Sequence, residues 1–225
     1  MKLSKLVYLC VKNVILYDDE SFQYDPFIKG KFNGNPDYAT SINNVFSAIN
    51  HAISRLSDLE RIPYRVDEVT LKDYAFNISD LEHNLKEIVA IAYIDTNKNL
   101  TPLSFQIVGN QVIVKGVLSN AKVQVEYKED IFFTQGEDYY YHYTVNELGE
   151  DTLITSKDTE LRDFGITDQM CNAIIEYAKG ILNEGVETVL ANMHITRAEQ
   201  YFVNINPVRS SLAQQVVVKK WGADD

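Results

Sequence analysis

The sequence predicts an α+β chain: a helical bundle built from both chain ends, with an antiparallel β sandwich or small barrel inserted between. Three observations carry this. Apolar residues recur at helical spacing near both ends, the period falls to two across the middle, and glycine or proline marks the changes. With 225 residues, 45% apolar and 24% charged, the chain is long enough for a substantial core and ordinary for a globular protein.

The first helix is read over 3–17. Leu3, Leu6, Val7, Cys10, Val11 and Val14 fall on one face. Acids at 18–20 are unfavourable past a helix C-terminus and end it there. A loop over 18–35 follows, with Phe22, Tyr24, Phe27 and Phe32 available to pin it. Asn35 as N-cap and Pro36 as first helical residue open the second helix. It buries Ile42, Val45, Phe46, Ile49, Ile53 and Leu56, shows Asn43, Asn44, Asn50, His51, Ser54, Arg55 and Ser57 on its polar face, and stops at Pro63.

From Tyr64 the alternation is that of strands. Val66 to Leu71, Tyr74 to Ile78, Ile88 to Ile94, Leu103 to Val108, Gln111 to Lys115 and Val123 to Tyr127 are the expected strands. Gly109-Asn110 is a two-residue hairpin signal. Residues 128–165 read as an acidic, aromatic arm or long hairpin outside the core. Thr167 caps a third helix bearing Met170, Ile174, Ile175, Ala178, Ile181 and Leu182. Gly185 separates it from a fourth, with Val189, Leu190, Met193, Ala198, Tyr201 and Phe202. Asn206-Pro207 closes that helix and a tail follows. The expected organisation is thus 1–62 with 166–205 as the bundle, 63–128 as the inserted β domain, 128–165 as the arm and 206–225 as the tail.

Between 129 and 187 the chain carries fourteen acids against Lys157, Arg162 and Lys179, which accounts for the net charge of −11. Such a chain lacks the clustered bases that phosphate contacts need, so it is not expected to hold DNA electrostatically. No run approaches the roughly 18 apolar residues of a membrane span. The interrupted apolar start, without a small-residue cleavage site, does not read as a signal peptide. Cys10 and Cys171 lie inside apolar helical patterns and read as buried thiols in a reducing compartment.

Catalytic and cofactor motifs are missing. There is no phosphate-binding glycine loop, nucleophile elbow, H-E-x-x-H or C-x-x-C. His51, His83, His142 and His194 show no ligand spacing. Asp95-Thr96-Asn97 begins like a calcium loop, but Lys98 and the missing glycine and glutamate remove it. Glu137-Asp138 and Glu150-Asp151 could be paired carboxylates, though adjacency is expected by chance in so acidic a block. No catalytic residue, metal or cofactor is expected, and the chain is not read as an enzyme.

The sequence from Ser41 through Leu56, running into Pro63-Tyr64-Arg65-Val66, resembles the second helix and following strand of head-to-tail connectors. These are the tail tubular protein A and head-completion adaptors of short-tailed bacteriophages. The strand–Gly-Asn–strand pattern from Leu103 to Lys115 resembles their inserted β domain. Asp168 through Lys179, with Arg197-Ala198-Glu199-Gln200-Tyr201-Phe202, resembles their closing helix pair. The 128–165 arm has no counterpart in that pattern.

The resemblance implies a structural virion protein assembled in the host cytoplasm. Twelve copies would form a ring below the portal, extend the DNA channel without binding DNA specifically, and dock the tail nozzle or next tail ring, with tail fibres as a further partner. Two readings stand beside it: an unrelated αβ interaction module, and a hydrolase with carboxylates in the acidic arm.

Candidate partner-binding residues are the aromatics Phe132, Phe133, Tyr139, Tyr140, Tyr141 and Tyr143, too many apolar faces to leave in water. Val216, Val217, Val218, Lys219, Lys220 and Trp221 form a second set: a β-prone run with an aromatic anchor and basic neighbours. By the resemblance, that tail would meet the portal; the alternative is that it folds back on its own β domain.

Overall fold

The computed structural model describes residues 1–14, 23–30, 36–96, 99–146, 149–184, 186 and onward to 212. They form two compact units: Met1–Ile62 with Ile131–Asn206, and Pro63–Asp130 with Pro207 onward.

The first unit is helical, with a β hairpin. Its helices are α1 (Leu3–Val14), α2 (Tyr24–Ile28), α3 (Pro36–Asp58), α4 (Asp168–Asn183) and α5 (Thr188–Asn204). The predicted apolar stripes of α1, α3 and α4 lie inside, while of the α5 stripe Ala198 and Phe202 are buried and Val189, Met193 and Tyr201 are exposed. Leu3, Leu6, Val7, Cys10 and Val11 of α1 meet Ile42, Phe46, Ile49, Ile53 and Leu56 of α3, and Met170, Ile174 and Ala178 of α4. Thr167 caps α4 as its sequence position implies, its Oγ1 accepting from the Met170 N–H at 3.3 Å. The α4–α5 contact is close because Gly180 has no side chain. A Cβ there would stand 2.4 Å from Ile195 Cγ1 and 3.1 Å from the Ala191 carbonyl oxygen.

Two expectations change here. The short helix α2 falls where a loop was expected, and Phe27 within it is buried against Tyr8 and Tyr139. Of the arm or long hairpin expected over 128–165, the hairpin is present as β8 (Tyr139–Val145) and β9 (Asp151–Asp158), but it is not outside the core, because its root is built into the bundle. Ile131, Phe133, Tyr139 and Leu161 are core residues of the helical unit. The Asn35 cap lies outside the described residues.

The second unit holds β1 (Arg65–Thr70), β2 (Ala75–Asn77), β3 (Leu85–Ile94), β4 (Leu100–Pro102), β5 (Ser104–Val108), β6 (Gln111–Lys115) and β7 (Lys122–Glu129). Two antiparallel sheets result, with orders β1-β7-β3-β4 and β2-β6-β5. They share one core: Val69, Leu71, Phe76, Ile88, Ile91, Val112, Val114, Val123, Val125 and Tyr127. The sheets do not close into a barrel, so the sandwich alternative holds. Gly109, at φ +60°, makes the β5–β6 turn where the Gly-Asn signal stands.

Candidate assembly surfaces

The aromatic set divides once the hairpin is in place. Phe133 is 2% exposed and stacks edge-on against Phe164, while Tyr139 packs parallel to Phe27. Both are core residues of the helical unit, so the apolar faces expected to seek a partner are covered by this chain itself. They are withdrawn as partner contacts. Tyr140, Tyr141 and Tyr143 are half-buried, with Tyr141 between Tyr139 and Tyr143 in one aromatic row. Phe132 is 66% exposed and points the other way from its neighbours.

The hairpin is pinned by one carboxylate. Asp158 at the end of β9 accepts from the Ser4 N–H at 2.9 Å, the Ser4 hydroxyl at 2.6 Å and the Tyr141 hydroxyl at 2.7 Å. Tyr24 joins through the Ser4 oxygen at 2.5 Å. Burial first, and then the bond to Asp158, push the Tyr141 phenol above its ordinary range. Four elements thus meet at one anion, and the distal half of the hairpin projects from it.

That distal half exposes aliphatic side chains among polar ones. Val145, Leu153 and Ile154 are exposed, Ile154 at 67%. A second apolar face runs along α5. Val189 and Met193 stand one turn apart, Tyr201 two turns further, and Arg197 lies between. All are exposed, Val189 at 83%. Val203 of α5 and Val186, which precedes the helix, are exposed as well. In the β unit, Tyr74, Tyr93, Ile113, Val117 and Leu118 line an apolar depression of about 700 Å³. Leu118 there is 77% exposed.

Two polar clusters escaped the sequence reading. Between α4 and α5, Glu176 meets the Lys179 ammonium at 2.7 Å and His194 Nδ1 at 2.8 Å, with Arg197 at 3.6 Å. Burial alone would raise this carboxyl. The bonds and charges of Lys179 and His194 outweigh it and hold Glu176 below its ordinary value. The cluster borders a depression lined by Gln169, Asn172, Ile175 and Tyr201. One carboxylate on α4 meets two fixed cations and a histidine, and its contacts to His194 and Arg197 tie α4 to α5. The i, i+3 step from Glu176 to Lys179 was the one signal available in the sequence.

In the β unit, Glu126 and Glu129 of β7 are buried acids. Glu129 is held by Arg65 at 2.6 Å and His83 at 3.2 Å. Glu126 accepts from the Ser211 N–H at 2.8 Å, the Ser211 hydroxyl at 3.0 Å and the Leu212 N–H at 3.3 Å, and also from the Ser210 hydroxyl. The start of the tail therefore docks on its own β unit. Val216, Val217, Val218, Lys219, Lys220 and Trp221 lie outside the described residues.

Of the paired acids, Asp138 caps a turn by accepting from the Thr134 N–H, and Glu137 takes the Thr134 hydroxyl. Glu150 and Asn146 exchange two bonds at the hairpin turn. Glu137, Asp138 and Glu150 thus shape turns. Cys10 and Cys171 are free and buried, and burial pushes their thiols to about 12 and about 11. Among the described residues no group of three or more His, Cys, Asp or Glu side chains is placed to hold a metal ion. No described helix is long and apolar enough to cross a membrane.

Among known proteins, no family model and no curated sequence matches this chain.

Proposed function

We propose that the chain is a structural protein of a short-tailed bacteriophage virion, a head-to-tail connector. In this reading twelve copies form a ring below the portal, continue the DNA channel, and present a docking surface for the next tail component. The chain acts by assembly and not by catalysis.

The observation that carries the reading is the placement of exposed apolar side chains. Val145, Leu153 and Ile154 on the hairpin and Val189, Met193 and Tyr201 on α5 are exposed apolar side chains on separate elements of one unit. A ring closes through heterologous contacts, in which one face of a copy meets a different face of the next. Large aliphatic side chains grouped in this way mark protein–protein surfaces. The chain order, helices from both ends of the sequence with a β unit inserted between them, agrees with what the connector resemblance implies. An acidic chain also suits a channel that DNA must pass without sticking.

The test is the mass of the purified chain alone and after mixing with the portal of the same phage, by native mass spectrometry. A portal-bound complex carrying about one copy per portal subunit supports the reading. A chain that stays monomeric in both samples overturns it. In parallel, duplex DNA is expected not to bind at physiological salt, and tight, steeply salt-dependent binding would count against a smooth channel.

A further inference from the structure

Exposed strand edges invite pairing with other chains, and proteins guard them with charge, proline, bulges or shortness. Most outer strands here are guarded. Strand β1 carries Arg65, Asp67 and Glu68, β4 ends in Pro102, and β2 has three residues. The β8–β9 pair is broken by a register shift at His142/Tyr143, and β9 carries Asp151, Lys157 and Asp158.

Strand β5 is different. Ser104-Phe105-Gln106-Ile107-Val108 holds no charge and no proline, and its register with β6 is regular throughout. It is the outer strand of its sheet, and among the described residues no strand pairs with its other side. Ile107 and Val108 are 47% and 52% exposed. This is the edge that a partner strand would select.

The chain itself carries a β-prone sequence near an anchored point. Glu126, 2% exposed, is surrounded by donors from Ser210, Ser211 and Leu212, and Leu212 is buried. A carboxylate that deep is tolerable only when its lone pairs are filled, so this contact is a firm anchor. Four residues beyond Leu212 the sequence reads Val216-Val217-Val218, a β-branched run. The anchored residues thus precede this β-prone sequence by four positions.

We propose that residues 215–219 of one copy add as a strand to the free edge of β5 in a second copy. The inference rests on the ring reading, since it supplies a donor surface and a different acceptor surface on each subunit. Backbone hydrogen bonds provide the affinity. Alternate side chains of the valine run pack beside Phe105 and Ile107, or beside Gln106 and Val108, according to register.

Cysteine pairs in the full-length chain test this. Ile107→Cys is combined in turn with Val216→Cys, Val217→Cys or Val218→Cys, oxidised with copper phenanthroline and run on a non-reducing denaturing gel. Cys10 and Cys171 are buried and give little background. The expected result is a covalent ladder of dimers and larger species, with positions 216 and 218 behaving alike and 217 differently, as strand alternation requires. Covalent monomer would show a fold-back within one copy and overturn the proposal. Equal cross-linking at all three positions, or none at any, would overturn it as well. Native mass of the parent chain with and without portal separates the two readings. Assembly without cross-links sinks strand exchange alone, while a chain monomeric in both samples sinks the ring with it.

Discussion

The side-chain amide of Asn50 pairs with the Phe133 peptide in both directions. Its Nδ2 donates to the Phe133 carbonyl oxygen at 2.9 Å, and its Oδ1 accepts from the Phe133 N–H at 2.9 Å. Both residues are buried, so α3 behaves toward this extended segment as a neighbouring strand would. The pairing fixes the segment that leads into the β8–β9 hairpin. Asn50→Leu leaves both peptide groups buried without a partner and is expected to cost about 2–4 kcal/mol. Urea denaturation measures it, and a loss below about 0.5 kcal/mol would show that the segment is held by its apolar side chains alone.

Glu126 holds the start of the C-terminal segment in the same way. Glu126→Ala removes the acceptor from the Ser211 and Leu212 N–H groups. Limited trypsin digestion should then cut faster after Arg209, which precedes the anchored serines. An unchanged cleavage rate at Arg209 would mean that Leu212 burial suffices.

Gly180 sets the α4–α5 distance. Alanine usually stabilises a helix interior relative to glycine by up to about 1 kcal/mol. At this position the new methyl meets Ile195 and the Ala191 carbonyl. Gly180→Ala is therefore expected to destabilise, by about 1–3 kcal/mol. A raised melting temperature would show that the helices can part without loss.

The Glu176 cluster predicts a pH dependence with a definite sign. Its folded-state carboxyl lies below the unfolded value, so its stabilising contribution is complete above the unfolded pKa of about 4.3–4.5. That contribution is lost as pH falls through the folded value. Melting temperatures between pH 6 and pH 3 should decline less steeply in Glu176→Gln than in the parent chain. Parallel curves would place the acid sensitivity elsewhere.

Periodicity made the regular elements legible. The stripes of α1, α3 and α4 and the alternation of β3, β6 and β7 each point an apolar face inward, and the structure buries those faces, whereas α5 buries Ala198 and Phe202 but exposes Val189, Met193 and Tyr201, and β5 exposes Ile107 and Val108. What pattern could not supply was the identity of polar partners. Asn50 and Ser57 sit on what the sequence presents as the polar face of α3, yet both are buried. Glu126 alternates outward by rule and is covered by the returning segment. The five residues of α2, which include Pro26, are too few to show a helical stripe, and tertiary packing of Phe27 decides their conformation. The surfaces were half legible. An aromatic-rich stretch signalled burial, but whether Phe133 and Tyr139 are covered by their own bundle or by another chain depends on contacts distant in sequence.

Imaging of the native assembly at the junction of head and tail tests the central claim most directly. Class averages viewed down the tail axis should show this chain as a closed ring of twelve copies beneath the portal, with a central channel. Its location outside the virion, or its presence there as isolated copies without rotational symmetry, would contradict the account.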